Sequence, residues 1–345
     1  MSRTKQSLIL WATGRLSGSA PLSLPAQGVM VALLEDAKHL PVLAGGGLVG
    51  AGSTVFVPES AVLEAPPVPG ALVPYGGDGW GLTGELSLGT TFFVQVQKYA
   101  VSEYLSILGP TLVRVDDGDD LACFMADADR ARAEGVFPAY LTNPVIQLGD
   151  QCALGATSDH DGPAWRLHVR ADGTCSTSSS GSALGSVTSS LEELSYEWRR
   201  RNEASRQPCA VALGDRICEE DRVAMLSSRP WIGRYHVALD GLRQACYHGL
   251  INLRVSGFGG SLAESYEPRS TEKTDAPLLM WNEEAAILYD IRTSRLLRMS
   301  IEAGRVVDAV LARSIQPATV EPRAAAVLTE LARRGMPVLP ELASA

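Results

Sequence analysis

Three glycines, Gly45, Gly47 and Gly50, follow a short apolar run at 41–44 and match the spacing of a dinucleotide-binding turn. In such a turn the glycines let backbone approach a pyrophosphate, and a following helix N-terminus holds the charge. Here the next residues, Ser53, Thr54, Val55, Phe56 and Val57, read as a strand, so the pattern is taken as a glycine-rich turn between strands. Four aspartates, Asp116, Asp117, Asp119 and Asp120, flank Gly118. Their oxygens could hold Ca²⁺, but the twelve-residue loop pattern and its terminal Glu are missing. A solvated loop with one Asp as helix N-cap is expected. Asp159, His160 and Asp161 are adjacent, His168 follows on a strand, and His236, Cys246 and His248 come later. Zinc sites want ligand pairs two to four residues apart. Cys246 and His248 have one residue between them and the set is incomplete, so a core thiol beside a polar His is expected, with no metal. Six cysteines, at 123, 152, 175, 209, 218 and 246, form no C-x-x-C pair and read as reduced, buried thiols. A G-x-S-x-G elbow and a P-loop are both missing, which removes local support for a serine hydrolase or a P-loop nucleotidase. No catalytic residue and no cofactor is expected.

The elements that must position these groups fit into 345 residues, enough for two domains. A hydrophobic share of 46% permits a large core, and a net charge of −9 argues against nonspecific nucleic-acid binding. Apolar runs stay below the roughly 20 residues needed to cross a bilayer. The run after Lys5 is too short for a signal peptide. No nucleic acid, no membrane and a cytoplasmic location are expected.

Residues 7–13, 29–34, 54–57, 91–97 and 111–115 read as strands, rich in β-branched and aromatic side chains. Residues 102–108 and 121–134 read as helices, the second stopped by Gly135. This order suggests an α/β or α+β layer. Residues 174–190 are rich in Ser and Gly and read as a loop or flexible segment. Helices are expected at 191–201, 219–227 and 237–248, and a strand at 251–255. The triple Arg199, Arg200 and Arg201 closes one of these helices, where cations are favourable without any ligand. A polar, weakly patterned stretch at 257–275 reads as a linker. The expected domains are 1–270, with a sub-boundary near 150–160, and 275–345.

The last seventy residues carry the clearest pattern. Apolar runs at 278–281, 285–291 and 295–300 are separated by Asn282, Glu283 and Glu284, then by Arg292, Thr293 and Ser294. Breaks this short make an antiparallel meander, because parallel strands need a long crossover. Ser300 reads as the N-cap of a helix that ends before Pro317. Glu321 and Pro322 open another, in which Ala324, Val327, Leu328 and Leu331 repeat at helical spacing and Gly335 gives the stop. A small sheet followed by helices is the plan of a winged-helix module, which usually binds something and does no chemistry. The fold class expected is α+β: a mixed α/β N-terminal region with a C-terminal winged helix-turn-helix.

This module, from about Pro277 to Leu339, resembles the recognition element of pathways that make ribosomally synthesised, post-translationally modified peptides. The founding example of that fold is the peptide chaperone of pyrroloquinoline quinone biosynthesis. The hairpin ILYDIRTSRLLRMS, the helix directly after it and the final LARRGMPV carry the likeness. Between Arg313 and Glu321 the family's middle helix is expected to be lost or shortened. Discrete recognition proteins of daptide-type pathways are similar in size. The resemblance implies that a precursor's leader peptide adds as a strand to the edge formed by Arg295, Leu296, Leu297, Arg298 and Met299. It also implies a wall of Val327, Leu328, Leu331 and Arg334, and partners in the leader and the pathway's modifying enzymes. Arg292, Arg295 and Arg298 would favour an acidic leader. Three alternatives stay open: a merely structural subdomain with solvated arginines, a DNA-binding winged helix, and an enzyme whose module captures its own substrate.

Overall fold

The computed structural model describes residues 3–16, 23–60, 68–78, 83–90, 92–157, 160–263, 274–313, 322–336 and 338. The fold is mixed α/β, and the chain divides into two compact units, Met1–Met125 with Val145–Arg229, and Ala126–Pro144 with Pro230–Ala345. The second unit is wider than residues 275–345. Among the described residues, no helix is long and apolar enough to cross a membrane.

The first unit is built on ten strands: β1 (Val31–Leu34), β2 (Thr54–Pro58), β3 (Ala71–Gly77), β4 (Gly84–Leu88), β5 (Phe92–Lys98), β6 (Thr111–Arg114), β7 (Ile146–Leu148), β8 (Arg166–Val169), β9 (Thr174–Ser176) and β10 (Gly185–Ser186). They form one sheet in the order β10-β9-β8-β1-β2-β3-β4-β5-β6-β7. β1 is parallel to β2 and β8, and β2 to β3. β4 runs against both neighbours, as does β9. Every residue of β1 and β8 is buried, as strands covered on both faces require. On one face Val31, Leu33 and Phe56 pack with Leu8, Leu10 and Trp11 of α1 (Arg3–Thr13). On the other, Ala32, Leu34, Val55 and Val169 pack with Leu40 and Leu43 of α2 (Leu40–Gly45) and Leu194 of α5 (Leu191–Ala204). α3 (Tyr99–Ser102) and α4 (Gly118–Glu134) flank β6 in sequence, and α6 (Glu219–Ser227) ends the unit.

Three expectations are corrected here. Residues 7–13 are helical, not extended: Ser7, Leu8, Leu10, Trp11, Ala12 and Thr13 are all buried, so α1 lacks the polar stripe by which helical periodicity is read. The helix expected at 102–108 ends at Ser102, and Tyr104, Leu105 and Leu108 beyond it are exposed with no face to bury. Residues 174–190 are only in part the loop expected. They hold β9 and β10, and Ser176, Thr177, Ser178 and Ser180 are buried. The glycine pattern at 45–50, expected between two strands, has a strand and no helix after it, but residues 41–44 before it belong to α2, so the turn leads from a helix into β2.

The second unit carries an antiparallel sheet of β11 (Arg254–Val255), β12 (Leu278–Trp281), β13 (Ala286–Asp290) and β14 (Arg295–Met299), paired in that order. Leu279, Trp281, Ala286, Leu288, Leu297 and Met299 form one face and pack with Val307 and Val310 of α8 (Ile301–Arg313) and Leu328 and Leu331 of α9 (Pro322–Arg333). Ser300 caps α8, its hydroxyl accepting from Ala303 N at 3.2 Å. The opposite face meets α7 (Ile232–Tyr247). A Cβ at Gly241 would come within 3.0 Å of Leu278, 3.1 Å of Tyr289 and 3.4 Å of Met280, so glycine is what lets α7 lie this close to the sheet. The expected linker at 257–275 is partly anchored. Asp308 of α8, fully buried, accepts from the hydroxyls of Ser256 and Ser261 and from the backbone N–H of Leu262 and Ala263, the last two at 2.7 and 2.8 Å. The rest of that stretch, 264–273, lies outside the described residues.

Candidate functional site

β14 is the outermost strand of its sheet among the described residues, so one row of its backbone N–H and C=O groups faces away from β13. Its side chains alternate. Leu297 and Met299 point, half-buried, into the cluster shared with Val327, Leu328 and Leu331 of α9. Arg295 and Arg298 are exposed and Leu296 is half-buried. Arg295 also reaches the far end of α9, where a Cβ on Gly335 would lie 3.8 Å from its Nη1. The carbonyl end of a helix favours that positive charge. The sequence-derived edge and wall are therefore neighbours, with two amendments. Leu328 and Leu331 are 2% and 4% exposed and belong to the core, leaving half-buried Val327 as the accessible apolar group of α9. Arg334 turns back on its own helix, its Nε 2.6 Å from Glu330 Oε1. Arg298 faces Glu284 at 3.4 Å with both side chains mostly in water, a contact worth little that a guest carboxylate can displace. The stretch between Arg313 and Glu321, where the family's middle helix would stand, falls on residues 314–321, outside the described ones.

The zinc set weighed from the sequence, His236 with Cys246 and His248, does not come together. His236 is buried on α7, whereas Cys246 and His248 are exposed at that helix's end. Asp117 accepts from Asp120 N at 2.9 Å and so caps α4, but Asp116 and Asp120 are buried, not solvated. The Asp120 carboxylate accepts from the backbone N–H of Ala100 and Asp116, at 2.8 and 3.1 Å, and burial raises its pKa. Asp159 lies outside the described residues.

A second constellation sits at the carboxyl ends of β1, β6 and β8, the side on which open α/β sheets bind ligands. Glu35 directly follows β1, and His168 of β8 stands beside Leu33 in register. His168 Nε2 is 2.8 Å from Glu35 Oε1, and Ala171 N donates to Glu35 Oε2 at 3.0 Å. The His168 ring is fully buried and stacked on Trp11, centroids 5.8 Å apart. Arg114, at the end of β6, lays its guanidinium 5.3 Å from the Trp11 ring and donates to the Ser179 hydroxyl. Burial holds the pKa of His168 below the usual imidazole value and works against the Arg114 charge as well. The hydrogen bond from His168 keeps Glu35 below the usual carboxylate range. A neutral imidazole donating from Nε2 leaves Nδ1 as an acceptor, and that atom is buried without a partner, as are the hydroxyls of Ser176 and Thr177 and Nε of Arg114. Ser176 faces His168 across the β8–β9 ladder. Ser180 closes the far side by donating to Asp116 at 2.7 Å. A guanidinium and free hydroxyls suit an anionic or carbonyl oxygen, while the acceptor Nδ1 of His168 suits a hydroxyl or N–H donor. The sequence offered one signal for this cluster, a carboxylate placed directly after a fully apolar strand. The hydroxyl run 176–180 hid behind the composition of a linker.

Comparison of the chain with protein-family models, with curated proteins and with solved structures finds no match.

Proposed function

We propose that this chain recognises the leader of a ribosomally made precursor peptide and presents that peptide to modifying enzymes, with its C-terminal module working as a winged-helix recognition element. The observation that carries this reading is the β14 margin: an outermost strand with exposed arginines, beside a helix with which it shares apolar side chains. A guest strand pairing there would gain backbone hydrogen bonds, while its alternate side chains met Leu297, Met299 and Val327 on one side. Arg292, Arg295 and Arg298 favour acidic residues in the guest. Tethering then raises the concentration of the guest's reactive segment near an enzyme, without chemistry in this chain. Arg333 and Arg334 both fold onto Glu330, which speaks against the DNA-binding alternative.

The test is fluorescence anisotropy of the full chain with a labelled leader peptide encoded by a neighbouring small open reading frame. Leu297→Arg and the Arg295→Glu, Arg298→Glu double variant are each expected to weaken binding by about tenfold or more, roughly 1.4 kcal/mol. An acidic substitution at Leu331, which is buried, would instead be an unfolding experiment. Unchanged affinity in both folded variants rules the groove out. A second reading, an enzyme that captures its own peptide substrate, is favoured by buried His168, its bond to Glu35 and its unpartnered hydroxyl neighbours.

A further inference from the structure

We propose that the first unit holds a zinc ion between Cys152, Asp161 and Cys209. The two Sγ atoms and a carboxylate oxygen of Asp161 all lie within 4.8 Å of one another. Cys152 and Cys209 are 0% and 6% exposed, and the Asp161 side chain 5%. Their sequence spacing, nine residues and then forty-eight, matches no local zinc signature, which is why the pattern of His and Cys along the chain did not reveal them. Cys152 lies on a short 3₁₀ turn, Gln151–Leu154, after β7, Asp161 just before β8, and Cys209 in the connection between α5 and α6.

Two further observations bear on a cation here. The first is an unmet acceptor. Asp161 Oδ1 is 3.4 Å from Arg166 Nε and Nη2, but Oδ2 is buried with nothing better to meet it than the Cys209 thiol, which makes no hydrogen bond of good geometry to it. Native proteins leave few buried carboxylate oxygens in that state, and thiols are weak donors. A metal supplies what the oxygen lacks.

The second is charge. Arg166, fully buried, donates to Asp150 at 2.6 Å and to the Trp11 carbonyl at 3.1 Å, and its Nη2 is 3.5 Å from Cys152 Sγ. With both thiols protonated, the group of Asp150, Asp161 and Arg166 carries one net negative charge. Zn²⁺ binding breaks two S–H bonds, forms two S–Zn bonds and one O–Zn bond, and releases two protons to solvent. The charge added by the ion equals the charge of the protons that leave, so the buried site is no worse balanced with metal than without. Arg166 then plays the outer role that tunes thiolate ligands, donating to the coordinated Cys152 sulfur. Gly14 makes room for this, since a Cβ there would lie 2.8 Å from Arg166 Nη2 and 3.2 Å from Cys152 Sγ.

Zinc is the ion this donor set selects. Two thiolates exclude hard cations such as Mg²⁺ and Ca²⁺, and a carboxylate disfavours Cu⁺. Tetrahedral geometry at a Zn–S length of 2.3 Å puts the sulfurs about 3.8 Å apart. From an upper limit of 4.8 Å the sulfurs would therefore draw together by about 1 Å at most, and each sulfur and the carboxylate oxygen by about 1.3 Å, within reach of side-chain rotation. Three protein ligands leave the fourth position to a water molecule, and the depth of burial makes the ion a clasp joining residues 150–166 to the segment around Cys209.

The experiment is metal analysis of the untagged full chain, followed by exchange with Co²⁺. One zinc per chain is expected, and the cobalt form should show thiolate-to-metal charge transfer in the near ultraviolet together with tetrahedral d–d bands. Cys152→Ser and Cys209→Ser should each abolish those bands, while Cys123→Ser, at an exposed position, should not. Should either variant fail to fold, the charge-transfer intensity of the wild-type cobalt form still reports the number of thiolates, two if the proposal holds and none if it fails. Wild-type protein that binds no metal after reconstitution with Zn²⁺ overturns the proposal. So does a count of four reactive thiols instead of six in protein unfolded with chelator and without reductant, when a peptide map places the missing pair at Cys152 and Cys209 as a disulfide.

Discussion

His168 is the residue whose environment most constrains its chemistry. It is buried against Trp11, bonded to Glu35 through Nε2, and left with a bare Nδ1. Its ordinary pKa of 6.5 is lowered by burial, with the Glu35 contact opposing but not reversing the shift. The sign of the linkage follows. A folded chain that binds this proton less readily than the unfolded chain is fully stabilised above pH about 6.5, and loses that stabilisation as the pH falls through this value towards the lower folded pKa. Glu35 acts in the same direction at lower pH, since its pKa of 4.5 is also depressed. The melting temperature of the wild-type protein is therefore expected to fall more steeply between pH about 7.5 and 5.5 than that of His168→Gln. Parallel slopes would mean that His168 titrates folded as it does unfolded. The same variant separates the two functional readings, because a recognition protein keeps its peptide affinity and its partners' product formation, whereas an enzyme loses turnover while keeping affinity.

At the scale of elements, α8 shows how a polar residue can hold a β-module together. Asp308 gathers four donors from residues 256–263. Asp308→Ala would leave two hydroxyls and two backbone N–H groups without their acceptor, and is expected to cost about 3 kcal/mol or more in chemical denaturation. A loss below about 1 kcal/mol would show that water replaces the carboxylate. The C-terminal strands and helices were legible in the sequence because short polar breaks and strict apolar spacing act locally, as at 282–284 and from Val327 to Leu331. α1 was not, because a helix buried on nearly all sides has no period to read. The serine run was not, because its burial depends on distant partners. Ser178 donates to Ala212 O and Ser180 to Asp116, contacts that composition cannot encode. Of the candidate edge, the strand and its arginines were readable, but which leucines of α9 stay accessible was decided by packing alone.

At the scale of the whole molecule, the chain builds its second unit from two separate stretches. The sheet of that unit has apolar residues on both faces, and Leu278, Met280, Ile287 and Tyr289 are all buried. A fragment of residues 275–345 would lack α7 and expose that face. It is expected to bind a hydrophobic dye and to unfold without a sharp transition, whereas the full chain shows neither behaviour; a fragment that melts cooperatively would show that α7 is dispensable. The outer flank of β14, unpaired among the described residues, bears on the protein's behaviour in solution too. A strand offering unmet backbone groups can pair with its twin on a second molecule, and antiparallel pairing of two such strands would crowd the arginines of both along the seam, Arg295 on one face of the joined sheet and Arg298 on the other. Those arginines thus deter self-pairing and clumping at high concentration, while a negatively charged segment relieves the repulsion that keeps two copies apart.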